Sequence, residues 1–189
     1  MSLTQLLVPA YTQMLKALST WFEKAESQLS EDKAEALLSR RLADDMYPLS
    51  TQVRFVCLQA QEAVYRLRGE PMPDALDALA KEGQMAGEQP GTISDARARI
   101  DETLSLLGSL PSDALDSDAN QSVTISLPTG LKFDMIGEQY VRDWALPQFY
   151  FHLVTAYAIF RNQGVAIGKP DYVPHMFAYA RPGTIPQGS

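Results

Sequence analysis

Leu49, Val53, Val56, Ala60, Ala63 and Leu67 recur at alternating steps of four and three residues. A seam of that period marks the core-facing side of a helix packed against other elements. Pro48 stands where a helix can start without its N–H, and Gly69 where one ends. Three further segments carry the same signal. Leu7, Tyr11, Met14, Leu18 and Trp21 form the first, with Pro9 placed in its first turns. Ile93, Ala96, Ile100, Leu104 and Leu107 form the third, with Thr92 or Ser94 as N-cap and a stop near Gly108 and Pro111. Phe149, Leu153, Ala156 and Phe160 form the fourth, which stops at Gly164. These segments predict an all-α four-helix bundle with long second and third connections.

The second connection, Gly69 to Gly91, is rich in Pro, Gly and acidic residues and reads as a surface crossing with one short helix around Asp74 to Ala80. In the third, the period changes to two: Val123, Ile125 and Leu127, then Leu131, Phe133 and Met135. A three-residue loop of Pro128, Thr129 and Gly130 pairs Leu127 with Leu131, Ile125 with Phe133 and Val123 with Met135. All six apolar side chains then share one face, and the hairpin is expected to pack across the bundle as a lid. The chain reads as one domain over residues 1–172, followed by a Pro/Gly-rich strap and loose end over residues 173–189.

Hydrophobic residues at 46% and charged residues at 21% are ordinary for a globular protein. Gln148, His152 and Arg161 interrupt the apolar runs well before the ~20 residues that a bilayer span needs. The N-terminus has no basic stretch ahead of its apolar residues, so a cytoplasmic protein is expected. A formal charge of −7 opposes a nucleic-acid partner. Cys57 is the single cysteine, which excludes an intrachain disulfide and a Cys-rich zinc site. On an apolar stripe it reads as a small buried hydrophobe rather than a reactive thiol.

The runs LADDMYPLSTQVRF (Leu42 to Phe55), LPTGLKF (Leu127 to Phe133) and LPQFYFHLVTAYAIFRNQGVAIGKPDY (Leu146 to Tyr172) resemble an uncharacterised family, domain of unknown function nineteen ninety-three. That family falls within the DinB/YfiT-like superfamily of metalloenzymes. The resemblance implies a DinB-like bundle with long crossover connections and no settled activity. Metal-binding relatives look like carriers of one histidine on the second helix and two at i and i+4 on the fourth. Here Ala156 stands four residues after His152, and no histidine falls between Pro48 and Arg68. The expectation is therefore no metal and no cofactor, although carboxylates and a folded-back His175 leave a metal site chemically open.

His152 falls about 60° from the centre of its helix's buried face, and Gln52 occupies the same rim relative to Leu49, with Gln59 one heptad later. Facing rims would make a polar-lined site for a small molecule, with His152, Gln52, Tyr47 and Asp45 as its ligand-binding residues. A buried histidine that merely fixes helix pairing is the competing reading. Asp44 and Asp45 suit the start of the second helix, or alternatively flank the imidazole as partners of a general base. The exit GVAIGKPDY lacks the spacing of a phosphate loop, and its Gly164, Gly168, Lys169 and Asp171 read as turn and tether. Tyr157 and Arg161 lie on a flank that could meet a second copy. No GxSxG, HExxH or dinucleotide fingerprint occurs. The expected function is metal-independent binding of an unidentified small molecule by a homodimer. The alternative, by fold analogy, is an enzyme: a small-thiol transferase or a divergent metal-dependent hydrolase.

Overall fold

The structure is a computed structural model and describes residues 2–116, 121–127 and 129–184. Its helices are α1 (Leu3–Gln28), α2 (Glu31–Ala36), α3 (Leu49–Arg68), α4 (Asp74–Met85), α5 (Ile93–Gly108), α6 (Gly137–Tyr140), α7 (Leu146–Asn162) and α8 (Lys169–Tyr172). The strands are β1 (Ser122–Ser126) and β2 (Lys132–Ile136). Helix α1 starts where the Ser2 hydroxyl accepts from the Gln5 N–H at 3.1 Å. Pro9 therefore lies in its second turn, on an exposed face where water can satisfy the carbonyl it leaves unpaired. Helix α5 starts on a capping box in which the Thr92 hydroxyl accepts from the Asp95 N–H and the Asp95 carboxylate accepts from the Thr92 N–H. Gly69, at φ 64°, closes α3 in the left-handed conformation that glycine adopts without strain.

Side-chain contacts give the directions of the four long helices. Tyr11 packs on Phe149 and Trp21 on Phe160, so α1 runs parallel to α7. Gln52 meets His152, and Gln61 meets Thr103 while Arg54 lies near Gly91, so α3 runs beside both α7 and α5 and parallel to the latter. Arg97 pairs with Glu26, and the Thr4 hydroxyl accepts from the Leu115 N–H beyond the end of α5, which makes α5 antiparallel to α1. This up-down-down-up order explains the long connection between α3 and α5, because parallel neighbours cannot be joined by a tight turn. Trp21, Phe22, Phe149 and Phe160 are fully buried between the helices. Each contributes on the order of 1.5–3 kcal/mol by leaving water.

Four features differ from the sequence reading or add to it. The second connection is not a loop over the surface. Helix α4 runs to Met85 and buries Leu76, Leu79 and Gly83 against α3. A Cβ on Gly83 would stand 2.6 Å from the Phe55 ring, so glycine is what lets the two helices approach. Before α7, the chain makes a π-turn over Val141–Ala145, in which the Leu146 N–H reaches back five residues to the Val141 carbonyl. The cause is Pro147, which has no N–H to donate to the preceding turn and whose ring crowds a carbonyl there.

The hairpin has the expected register, with Val123 opposite Met135, Ile125 opposite Phe133, and a Leu127 N–H to Leu131 carbonyl bond of 2.8 Å. Pro128 lies outside the described residues. Its packing, however, is one-sided. Val123 and Ile125 are buried, but Leu131 and Phe133 remain 53% and 37% exposed. Two-stranded ribbons twist strongly, and only the inner strand settles on the helices. The tail also differs from a packed strap. A 3-10 turn over Pro174–Tyr179 leaves Met176, Phe177 and Tyr179 exposed, and residues 185–189 lie outside the described set.

Candidate functional site

Helices α3 and α7 bring Gln52 and His152 together. The His152 Nδ1 lies 2.9 Å from the Gln52 Oε1, and the Gln52 Nε2 donates to the Tyr47 carbonyl at 3.1 Å. The second bond fixes the first. An amide whose nitrogen faces a carbonyl must present its oxygen to the imidazole, so His152 Nδ1 carries the proton and Nε2 holds the lone pair. Nε2 has no protein hydrogen-bond partner among the described residues. The ring stands between Phe55 and Phe151, with centroids 5.1 and 5.3 Å away, and Tyr47 packs edge-on against Phe55. Burial in this aromatic setting pushes the imidazolium pKa down to about 4, so the ring is neutral at pH 7.

The other candidates divide. Tyr47 is 51% exposed at the edge of this cluster. Asp44 and Asp45 are exposed and do not cap α3, whose N-cap is Pro48 with no side-chain bond. Proline holds the extended backbone that starts the helix, which removes the need for a carboxylate there. The Gln59 Oε1 and the His175 Nδ1 are buried without partners. Tyr157 is not at a free flank; it packs edge-on against Trp21 and Tyr172. The α7 exit is a tether, since Asp171 pairs with Lys24 and its carbonyl accepts from the Trp21 indole at 2.9 Å. Cys57 is fully buried, and burial pushes its thiol up to about 12, which leaves it unreactive.

The donor set does not fit the three-ligand metal site of DinB-like relatives. His152 commits Nδ1 to Gln52, Ala156 follows at i+4, and no group of three His, Cys, Asp or Glu side chains with metal-holding placement occurs among the described residues.

On the opposite side of α3 lies a polar group that sequence reasoning missed. Arg54 is only 2% exposed; its Nε donates to Glu82 at 2.6 Å and its Nη1 to the Ser50 carbonyl at 3.0 Å. Glu82 also accepts two bonds from Arg99, at 2.9 and 2.6 Å. Burial would raise the Glu82 carboxyl, but the bonds from Arg99 and Arg54 outweigh it and hold the group below its ordinary range. The available signal was an arginine set inside a buried helical stretch.

Among the described residues, no helix is long and apolar enough to cross a membrane. No curated protein matches the chain. It is similar to a crystal structure of a DinB family member protein from Shewanella denitrificans, with 32% identity over 97% of this chain and 96% of that one and a TM-score of 0.73. Residues 3–173 match the family described as Domain of unknown function (DUF1993). With a match of that extent and a helical bundle of DinB type, the chain belongs to the DUF1993 family.

Proposed function

We propose that the protein binds a small molecule, without metal, at the rim formed by His152 and Gln52. The observation that carries this reading is the fixed imidazole: Gln52 holds Nδ1–H at 2.9 Å and leaves the Nε2 lone pair available between two aromatic rings. A neutral acceptor flanked by Phe55 and Phe151 suits a ligand with an O–H or N–H donor on an apolar or aromatic body. Tyr47 and Asp45 precede α3 and would border it. General-base catalysis is less well served. An imidazole whose conjugate acid has a pKa of about 4 is a weak base at pH 7. The net charge of −7 supports a small, non-nucleic-acid partner.

Phenol, which joins one O–H donor to one ring, is a suitable probe. Titrated against the protein with 15N-labelled imidazoles, it should produce a saturable shift of the His152 Nε2 resonance, and His152→Phe should lose the binding while remaining folded. Absence of a shift at His152, or equal phenol affinity in His152→Phe, would remove this reading.

A further inference from the structure

A cavity of about 650 Å³ lies at the start of α7 and shares no lining residue with the His152 site. Its apolar surface comes from Leu3 and Leu6 in the first turns of α1 and from Val141 and Leu146 in and just after the π-turn. Asp116 closes one side. It ties the segment after α5 to the start of α1 by accepting from the Ser2 hydroxyl and the Leu3 N–H, each at 2.6 Å, and from the Thr4 N–H at 3.3 Å. Glu138 and Arg142 complete the mouth. Such a volume, apolar inside with a few charges at its edge, has the dimensions of a small-molecule site.

The charges at the mouth select the ligand. Two of the three charged lining residues, Asp116 and Glu138, are carboxylates. Among the described lining residues the one cation is Arg142, which Asp143 holds through two bonds of 2.9 and 2.7 Å. Among the described lining residues carboxylates therefore outnumber cations, Glu138 has no ion-pair partner, and an anionic ligand would meet repulsion. We propose that this cavity is a second binding site, which takes a small molecule with an apolar chain or ring and a cationic amine head: the chain rests on Leu3, Leu6, Val141 and Leu146, and the head sits at Glu138, with Asp116, whose oxygens are already bonded to Ser2, Leu3 and Thr4, adding only its charge.

Octylammonium, 1-octanol and octanoate share one chain and differ in head group, so they test both halves of the proposal. Observed through methyl NMR of the full chain, octylammonium should shift Leu3, Leu6, Val141 and Leu146 saturably and leave His152 unmoved, which separates this site from the rim. Octanoate should bind about tenfold more weakly. Leu6→Trp should fill the cavity and weaken octylammonium by about tenfold. Glu138→Gln is a surface change that spares the fold; it should weaken octylammonium about threefold and leave 1-octanol unchanged. The proposal fails if octylammonium produces no saturable shift, if octanoate binds as well as octylammonium, or if Glu138→Gln leaves the amine's affinity unaltered.

Discussion

Helix α3 carries two polar inclusions at the same height, two residues apart and on opposite sides, and they are finished differently. Toward α4 and α5, Arg54 shares Glu82 with Arg99 and gives its second bond to the Ser50 carbonyl. Toward α7, Gln52 satisfies one nitrogen of His152 and leaves the other open. The first arrangement pairs its charges with one another and holds α4, which buries only Leu76, Leu79 and Gly83, onto the bundle. The second holds a group in one tautomer while keeping one acceptor in reserve. A buried charge paired with its counter-charge fixes structure, whereas a nitrogen without a protein partner can still accept a hydrogen bond from water or a ligand.

If the Arg54 side is structural, breaking it should cost most. Arg54→Met leaves Glu82 with one partner and α4 without its anchor, and should reduce unfolding free energy by about 3–5 kcal/mol in urea titrations. A loss below about 1 kcal/mol would mean that α4 is held by Leu76 and Leu79 alone.

Acid should then separate the two sides. The His152 pKa is lowered from 6.5 to about 4, so the unfolded chain binds its proton first. Stability from this group is present above pH 6.5 and is lost as pH falls toward about 4, by at most about 3 kcal/mol. Glu82 is also depressed, so its contribution is present above its ordinary value of 4.5 and disappears only below it. His152→Phe should flatten the stability profile between pH 6.5 and 4 while leaving the steeper fall below that range. A profile identical to the parent's would mean that the imidazole is not buried as neutral.

Gln52→Leu should have a smaller effect. It leaves the His152 Nδ1–H without an acceptor, at a cost of about 1–3 kcal/mol. Combined with His152→Phe, much of that loss should be recovered, since both partners are then apolar; simple additivity would show that the pair is not coupled. A chelator should have the least effect, leaving the melting temperature unchanged within error. A drop of several degrees that one metal restores would show ligands assembled outside the residues discussed above.

The His152 to Gln52 contact was legible in the sequence because both residues sit at the same angle from strong apolar seams, and helical geometry converts angle into proximity. The four long helices and the hairpin register were legible for the same reason. Helix α4 was shortened in that reading because Leu76 and Leu79 are few among acidic residues, and Gly83 looks like a breaker until Phe55 is placed against it. The Arg54 to Glu82 pair joins residues 28 apart in sequence, with no periodicity to connect them. The π-turn had a signal, Pro147, but without knowing that α6 runs on into α7 it reads only as a helix start. The outward lean of β2 depends on twist, which alternation does not encode.

The central claim is that His152 is a neutral imidazole with its proton on Nδ1 and its lone pair on Nε2. Long-range 1H–15N correlation of the imidazole, followed through a pH titration, reads both properties on the intact protein. The account predicts the Nδ1–H pattern at pH 7 and a midpoint near 4. An Nε2–H pattern, or a midpoint near the ordinary 6.5, would contradict it.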